Sequence, residues 1–213
     1  MDDYLSLNKQ AYDTAAVEFE KKNSTRTINT EKIVAEFCSF LLSDHQKTSI
    51  LELGPGNGQV AKSLLEHGFD VSAIELSPAM AAVALNTAPR LKMIVDEFLS
   101  HDFGSKQYSA IIGIAFIHLF PSVEIPTLLK KIYSLLIPQG VIYLSTTIHH
   151  HPEGYLALKN NFNGKYLRFR KRFTEDEFRQ SVMQAGFSIQ KISFVTDHEE
   201  KDKNWMFIIA MKN

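Results

Sequence analysis

A glycine-rich turn is the stretch of the sequence whose residue types best suit the binding of a ligand. Gly54, Gly56 and Gly58 follow an apolar segment over residues 50–53. Glycine permits positive φ angles and lets a ligand approach the backbone closely. A dinucleotide-binding turn would carry a further glycine at its sixth position, where this chain has Gln59. The lack of that glycine disfavours a nicotinamide-dependent oxidoreductase.

Two acidic residues accompany this turn. Glu75 ends the predicted strand 70–75, and a carboxylate at a strand end can accept hydrogen bonds from both hydroxyls of a ribose. The turn and this carboxylate together favour a nucleoside ligand over a phosphate. Glu52 lies inside the strand before the turn, and we interpret it as a buried carboxylate that orients the loop by accepting hydrogen bonds from its amides.

The composition is that of a globular protein with no general affinity for nucleic acid. The 213 residues are 45% apolar and 22% charged, which suits one domain of ordinary size. With 23 Lys and Arg against 24 Asp and Glu, the net charge is -1, so the overall basic footprint of a nucleic-acid binder is missing. The longest apolar run, 111–120, is interrupted by His118 and is about half the length of a transmembrane helix. The lone Cys38 and an N-terminus without signal-peptide features indicate a cytoplasmic protein with no membrane partner.

Short apolar segments alternate with helical patterns along the chain, an order that is typical of a parallel sheet with helices on both faces. The predicted strands of that sheet are 48–53, 70–75, 91–95, 108–114 and 140–147. Two further predicted strands, 188–196 and 204–211, are joined by a polar turn and indicate an antiparallel hairpin at the edge of the sheet. The sequence therefore predicts an α/β fold with a mostly parallel sheet of seven strands.

Helix signals occupy the intervals between these strands and the N-terminal part of the chain. Ser77 is predicted to cap a helix that starts at Pro78. Thr174 and Glu177 form a capping box for a helix that ends near Gly186. Further helices are predicted over residues 7–22, 30–42 and 122–136.

The order and spacing of these features resemble those of class I S-adenosylmethionine-dependent methyltransferases. Glu52 and the three glycines form the ExGxGxG pattern of that family's first motif, and Glu75 resembles the acid of its second. Residues 95–98 are similar to the third motif, 111–119 to the fourth strand and its following turn, 136–140 to the turn before the fifth strand, and 12–19 to a helix that closes over the cofactor. The resemblance covers residues 8–147 and implies a Rossmann-like fold with S-adenosylmethionine as the cofactor.

The resemblance also implies which residues contact this cofactor. The glycine turn would border its methionine part, Glu75 the ribose and Leu76 one face of the adenine. Asp96 and Phe98 would meet the adenine edge, and Tyr12 would cover the sulfonium as part of a lid. The full set of implied cofactor-binding residues is Tyr12, Glu52, Gly54, Pro55, Gly56, Asn57, Gly58, Glu75, Leu76, Asp96, Glu97, Phe98, Ala115 and Phe116.

One residue is a candidate base for the reaction. A sulfonium methyl donor is already reactive, so an enzyme must chiefly align donor and acceptor and exclude water. His118, at the end of the fourth predicted strand, is the candidate catalytic residue if the acceptor is an amine or a hydroxyl. The alternative is a histidine that only bonds the backbone, and a carboxylate or thiolate acceptor would need no base.

A basic segment over residues 159–173 is the candidate for acceptor recognition. Its six lysines and arginines lie among aromatic residues, with no acid. Insertions before the last helix line the acceptor pocket in the family that the chain resembles. The candidate substrate-binding residues are Tyr155, Tyr166, Arg168 and Arg170. Such a segment can bind an anionic group or form a solvated face, and both interpretations stay open.

Three consecutive histidines occupy residues 149–151. Consecutive strand residues point to alternate faces, and no Cys or carboxylate cluster adjoins the histidines with ligand spacing. We therefore predict no metal.

The sequence thus predicts a methyltransferase that transfers a methyl group from S-adenosylmethionine to a small molecule. A small acceptor follows from the chain's size, the balanced charge and the lack of an appended recognition domain. A protein acceptor is the main alternative, and a catalytically silent regulatory or scaffold protein that binds S-adenosylmethionine is another. The identity of the acceptor and the oligomeric state stay open. The expected single domain comprises a helical cap (1–44), a cofactor-binding core (45–147), a substrate-side insertion and helix (148–187) and a C-terminal hairpin (188–213).

Overall fold

The computed structural model describes residues 4–22, 29–41, 48–151, 153–162, 164–196 and 204–213, with side chains described outside 19–22 and 153–166. The helices in these ranges are α1 (Tyr4–Lys22), α2 (Thr30–Cys38), α3 (Gln59–Glu66), α4 (Pro78–Thr87), α5 (Ile125–Ser134), α6 (Glu175–Gln184) and a short 3₁₀ helix (Ile117–Leu119). The strands are β1 (Ser49–Leu53), β2 (Asp70–Glu75), β3 (Lys92–Val95), β4 (Tyr108–Ile114), β5 (Leu136–Ile148), β6 (Glu153–Phe162), β7 (Gly164–Arg172), β8 (Phe187–Thr196) and β9 (Asn204–Lys212). Of the helices described, none has the length and apolar character to cross a membrane.

Seven of these strands form one sheet in the order β3-β2-β1-β4-β5-β9-β8. The first five are parallel to one another, whereas β9 pairs antiparallel with both β5 and β8. The predicted α/β, Rossmann-like sheet with an antiparallel C-terminal hairpin at its edge is confirmed. The chain moves from β1 to β2 on one side and returns through β4 on the other, so a crevice opens at the carboxyl ends of β1 and β4.

The sheet carries apolar side chains on both faces, because neighbouring residues of a strand point to opposite sides. Leu51 and Ile111 belong to a core that also includes apolar residues of α5 and α6. Ile50 and Ile112 belong to a second core with apolar residues of α2, α3 and α4. The two cores bury the parallel strands from both sides, as their near-continuous apolar sequences require.

The two predicted helix caps are present. Ser77 Oγ accepts a hydrogen bond from the Met80 N–H at 3.1 Å, directly before α4. Thr174 Oγ1 accepts one from the Glu177 N–H at 3.2 Å, directly before α6. Each cap satisfies one of the N–H groups that the first turn of a helix leaves unpaired.

Predicted helix boundaries are wrong in three helices. Helix α1 begins at Tyr4 instead of residue 7, and α5 ends at Ser134 instead of residue 136. Helix α5 begins at Ile125 instead of residue 122, because the preceding residues form a turn in which the Glu124 N–H donates to the Pro121 carbonyl at 2.9 Å. Helix α2 ends at Cys38 instead of residue 42, because the Phe40 N–H donates three residues back in a tighter turn.

Strand β5 also begins earlier than predicted, at Leu136 instead of residue 140. The pairing of β5 with β4 shifts register between Tyr108 and Ala110, and Gln139 adopts a φ of +61°. This irregularity lets β5 pair with β4 from Leu136 onward, where the sequence predicts a turn over residues 136–140 before the strand.

The insertion between β5 and α6 forms a β-hairpin that the sequence analysis missed. Strands β6 and β7 pair antiparallel, with Arg168 opposite Ala157 and Arg170 opposite Tyr155. Strand β7 packs against α1 and the 3₁₀ helix, so the hairpin covers the carboxyl edge of the main sheet. The hairpin's strands were missed because cationic and polar residues interrupt the apolar alternation that marks a half-buried strand.

Replacing Gly58 with alanine should destabilise the protein more than the same change at Gly68. Both glycines have positive φ angles, +78° and +88°, which cost alanine about 1–2 kcal/mol. A Cβ at Gly58 would also lie 2.6 Å from the Ala84 carbonyl oxygen, whereas a Cβ at Gly68 would meet nothing within 4 Å. We expect Gly58→Ala to lose about 1–3 kcal/mol more than Gly68→Ala in urea unfolding. Equal losses would contradict close packing between the α3 and α4 backbones.

Candidate active site

A cavity of about 740 Å³ lies at the carboxyl ends of β1, β2 and β4 and extends to α1 and β7. The predicted site residues that line it are Tyr12, Glu52, Gly54, Pro55, Gly56, Asn57, Glu75, Leu76, Asp96, Glu97, Phe98, Ala115, Phe116, His118, Arg168 and Arg170. Gly58 is not a lining residue and lies behind the turn, directly before α3. The side chains of Tyr155 and Tyr166 lie outside the described residues. The structure thus brings the motif residues and the basic strand β7 to one cavity.

The turn after β1 requires glycine at two positions on the cavity wall. Gly54 and Gly56 have φ angles of +64° and +57°, a region that other residues rarely adopt. A Cβ at Gly54 would lie 3.0 Å from Phe116 Cδ2. The backbone of the turn is consequently free of side chains where it meets the cavity, and it can serve as a cradle for a ligand.

Two carboxyl groups, those of the buried Glu52 and the half-buried Glu75, lie behind and beside this cradle. Glu52 accepts a hydrogen bond from the backbone N–H of Ala61, and its Oε2 has no partner in the part of the chain that the structure describes. Burial, together with repulsion by Glu75, raises the pKa of Glu52 to about 8. Burial also raises the pKa of Glu75 to about 7, against hydrogen bonds from the N–H groups of Ser77 and Leu76. The interpretation that Glu52 holds the amides of the loop is corrected, because the amide that it binds belongs to α3.

The loop after β3 holds its carboxylates through local hydrogen bonds. Asp96 Oδ1 accepts the Glu97 N–H at 2.8 Å, and Asp96 Oδ2 lies 2.8 Å from His101 Nδ1. The hydrogen bond with His101 lowers the pKa of Asp96, so this carboxylate stays ionised. Phe98 is buried and packs edge-on against Phe116, with ring centroids 6.0 Å apart. The loop therefore presents an acidic edge and an apolar wall to the cavity.

Helix α1 is fastened over the cavity by polar side chains. Ser77 Oγ donates to Asp13 Oδ1 at 2.5 Å, which ties α1 to the start of α4. Burial opposes ionisation of Asp13, but hydrogen bonds from Lys9 and Ser77 outweigh it and hold its pKa below the ordinary value. Asn8 Nδ2 donates to the Leu119 carbonyl at 3.2 Å, and Asn8 Oδ1 accepts the Phe169 N–H at 2.8 Å. Helix α1 is thus connected to α4, the 3₁₀ helix and β7.

The far end of the cavity is basic. His118 is buried, with its Nδ1 3.1 Å from Thr146 Oγ1. Arg168 Nη1 donates to the Tyr12 hydroxyl at 2.9 Å, and Arg170 Nη2 donates to Thr147 Oγ1 at 2.6 Å.

The predicted absence of a metal stays a prediction. Among the residues described, no group of three or more His, Cys, Asp or Glu is arranged to hold a metal ion. His149 Nε2 instead lies 3.1 Å from Thr147 Oγ1.

Comparison with known proteins identifies the family of this chain. Residues 26–192 match the family described as methyltransferase domain. The chain belongs to this family. The methyltransferase is 24% identical over 187 residues to an uncharacterised methyltransferase of Oceanobacillus iheyensis, covering 85% of this chain and 86% of that one. It is 36% identical over 205 residues to a glycine/sarcosine N-methyltransferase of Halorhodospira halochloris, covering 78% of this chain and 75% of that one.

A solved structure shares the fold of this methyltransferase. The 1,6-didemethyltoxoflavin-N1-methyltransferase of Burkholderia thailandensis, solved with 1,6-didemethyltoxoflavin and S-adenosylhomocysteine bound, is 19% identical with a TM-score of 0.74. The similarity covers 96% of this chain and 87% of that one. The class I methyltransferase fold implied by the sequence motifs is therefore confirmed.

The methyltransferase uses S-adenosylmethionine as its cofactor, and the residues of the cavity fit it. The glycine turn offers backbone without side chains at Gly54 and Gly56, and a Cβ at Gly54 would lie 3.0 Å from Phe116 Cδ2 on the cavity wall. Glu75 offers a carboxylate at the end of β2, where a ribose can be bound. Glu52 Oε2 is buried and without a partner in the described part of the chain, so it can form a hydrogen bond with a ligand or a water.

Two residues with contacts at the site were not singled out from the sequence. Asp13 fastens α1 to α4, and its signal was present because it lies in the segment 12–19 that resembles a closing helix. His101 binds Asp96 from five residues further along the chain, and no motif marks it.

The raised pKa values predict that the unliganded methyltransferase loses stability as pH rises. Glu52 and Glu75 keep their protons to about pH 8 and pH 7 in the folded chain, whereas glutamate in an unfolded chain titrates near pH 4.3. The folded state therefore binds more protons between these limits, and the free energy of unfolding falls through that window by up to a few kcal/mol.

Urea unfolding at pH 5 and pH 8 measures this loss. Glu52→Gln keeps the acceptor for the Ala61 N–H but has no carboxyl to ionise, so its loss between the two pH values should be smaller than that of the wild type. Glu175→Gln, at a half-exposed position of α6, is the control. Its loss of unfolding free energy between the two pH values should equal that of the wild type. An unchanged pH dependence in Glu52→Gln would show that Glu52 is not the group responsible.

Proposed function

We propose that this methyltransferase transfers a methyl group from S-adenosylmethionine to a small-molecule acceptor. One observation carries the proposal: the glycine turn, Glu75, His118 and the two arginines of β7 line a single cavity. Its volume of about 740 Å³ falls within the range of small-molecule sites, about 300–1,000 Å³. A cavity covered by α1 and β7 favours a small molecule over a protein acceptor, which would need an open cleft to present its side chain.

In this proposal the cofactor occupies the acidic end of the cavity. The turn from Gly54 to Asn57 borders the methionine part, and Glu75 accepts hydrogen bonds from the ribose hydroxyls. Leu76 and Phe98 enclose the adenine. Asp96 meets the adenine amino group with the lone pairs that Glu97 and His101 leave available, since a carboxylate offers about four acceptor sites.

Bound S-adenosylmethionine supplies an electrophilic methyl group on a sulfonium, and the protein positions the acceptor and excludes water. Tyr12 and α1 close the cavity above the cofactor. His118 is the proposed base that takes the proton lost by an amine or hydroxyl acceptor. Thr146 holds its ring through Nδ1, which orients the imidazole toward the cavity that it lines.

The relatives favour the same class of acceptor. The relative from H. halochloris is named for glycine and sarcosine, and the enzyme from B. thailandensis for 1,6-didemethyltoxoflavin. Both names specify small molecules and methyl transfer to nitrogen, for which a base is required. The division into a cap, a core, a substrate-side insertion and a hairpin is part of this proposal, and the cytoplasmic location stays a prediction from the sequence.

Thermal unfolding with S-adenosylmethionine, S-adenosylhomocysteine and NAD, each in separate large excess, tests the cofactor. A ligand at about 100 times its dissociation constant adds roughly 2.7 kcal/mol, which raises the melting temperature of a chain of this size by about 5–10 °C. We expect this rise with both adenosyl ligands and none with NAD. A rise with NAD alone, or none at all, would contradict the proposal. Binding with no formation of S-adenosylhomocysteine across a screen of acceptors would indicate a silent scaffold.

At pH 8, where Glu75 is ionised, Glu75→Ala should weaken S-adenosylhomocysteine binding about 10- to 150-fold, because a hydrogen bond to a charged group contributes about 1.5–3 kcal/mol. Isothermal titration calorimetry measures the dissociation constants. Glu175→Ala removes a carboxylate from α6 and should bind as the wild type does. Unchanged affinity in Glu75→Ala would remove this residue from the cofactor site.

A further inference from the structure

The charges on the cavity wall are segregated. The charged lining residues are Glu31, Glu52, Lys62, Glu66, Glu75, Asp96, Glu97, Arg168 and Arg170. The six acids among these described residues belong to α2, α3 or a segment at the carboxyl end of β1, β2 or β3. Lys62 of α3 is the one cation that the structure describes on that part of the wall, whereas both arginines belong to β7. The cavity therefore has an acidic end, which the proposed function gives to the cofactor, and a cationic end against α1 and the 3₁₀ helix.

Arg168 lies at the cationic end, and no carboxylate of the described residues forms an ion pair with it. Its contacts within the described part of the chain are with Tyr12: Nη1 donates to the hydroxyl at 2.9 Å, and the guanidinium carbon lies 6.0 Å from the ring centroid. Its Nε is buried and has no hydrogen-bond partner among the described residues. The guanidinium therefore keeps both its charge and donor capacity for a ligand.

Arg170 provides a second guanidinium in a fixed position. It follows Arg168 by two residues on β7, so both side chains leave the same face of the strand. Arg170 is 9% exposed, and its Nη2 donates to Thr147 Oγ1 at 2.6 Å. This hydrogen bond holds the guanidinium against the wall formed by β5. Two guanidinium groups that line one cavity suit an oxyanion, which can accept several hydrogen bonds in parallel.

We propose that the acceptor carries a carboxylate or phosphate group and that Arg168, supported by Arg170, binds this oxyanion. The inference rests on the proposed function, because it concerns the acceptor of that reaction. Arg168 is half-buried, and a cation removed from water without a counter-charge among the described residues is unfavourable. The cofactor brings a second positive charge to the same cavity. An anionic acceptor offsets both charges. Its oxyanion binds at β7, which leaves the atom to be methylated facing the glycine turn and His118.

Calorimetric titration of the complex with S-adenosylhomocysteine tests the proposal, because this complex does not turn over. The probes are matched pairs: glycine and glycinamide, sarcosine and sarcosinamide, 4-hydroxybenzoate and 4-hydroxybenzamide, and phosphoethanolamine and ethanolamine. In at least one pair, the compound with the carboxylate or phosphate should bind at least about tenfold more tightly than the matched compound without it. Preference within the first three pairs identifies a carboxylate, and preference within the last identifies a phosphate. If no pair shows an anion preference, the proposal is wrong.

Substitutions in β7 test whether Arg168 causes the preference for an anionic ligand. Arg168→Gln should reduce the anion preference about 10- to 100-fold while leaving the affinity for S-adenosylhomocysteine within about threefold of the wild type. Arg172→Gln, which removes a cation from the same strand but not from the cavity wall, should keep the preference. Arg168→Lys keeps the charge without the forked donor geometry and should give an intermediate value. A preference that survives in Arg168→Gln overturns the assignment.

The titrations also separate this inference from the proposed function. Failure of the wild type to bind S-adenosylhomocysteine would remove the proposed function and the inference with it. Binding of S-adenosylhomocysteine without an anion preference would leave the proposed function intact and remove only the oxyanion site. Arg168→Gln can have a lower melting temperature than the wild type. If it still binds S-adenosylhomocysteine with unchanged affinity, the variant is folded, and its anion preference decides whether Arg168 binds the oxyanion.

Discussion

The reversal of strand order between β2 and β4 on either side of β1 is the constraint on which the site depends. Because the connections from β1 and to β4 run to opposite sides, no loop crosses the carboxyl end of β1. The chain must also turn from β1 into α3 within a few residues. Glycines make that turn possible, and Gly58 lets the start of α3 approach the backbone of α4 at Ala84. Parallel pairing of β1 with β2 places the carboxyl ends of both strands at the same edge of the sheet, which is why Glu75 repels the ionised form of the buried Glu52.

Elements with a purely local cause could be predicted from the sequence. Strands β2 and β4 have the predicted bounds because both are apolar, buried on two faces and limited by polar or glycine-containing turns. The caps Ser77 and Thr174 were predictable because capping involves residues only three positions apart. The hairpin β6–β7 was not, since its position depends on packing against α1 and the 3₁₀ helix and not on an apolar repeat of its own.

The candidate site also has features that the sequence predicted and features that depend on tertiary packing. Its glycine turn, Glu75, Asp96 and Phe98 belong to short motifs, and the sheet topology alone brings those motifs together. The environments of the same residues could not be predicted. Asp13 meets Ser77 across 64 positions of sequence, and the raised pKa of Glu52 arises from burial that only the assembled cores produce. The sequence motifs thus predicted which residues line the site, whereas their contacts and pKa values depend on tertiary packing.

The fastening of α1 affects how quickly ligands exchange. Among the side chains of α1 that the structure describes, the fully buried apolar ones are Ala11, Ala15 and Ala16, which bury little area compared with a leucine or phenylalanine. The helix is therefore held by the hydrogen bonds of Asn8, Tyr12 and Asp13 and, at its N-terminal end, by Tyr4, whose ring packs against Phe120 and Phe169. An element held in this way can detach by local opening while the sheet stays folded. Detachment of this one helix would open the cavity that it lines, and a slow detachment would then limit turnover through ligand release without any change in the chemistry.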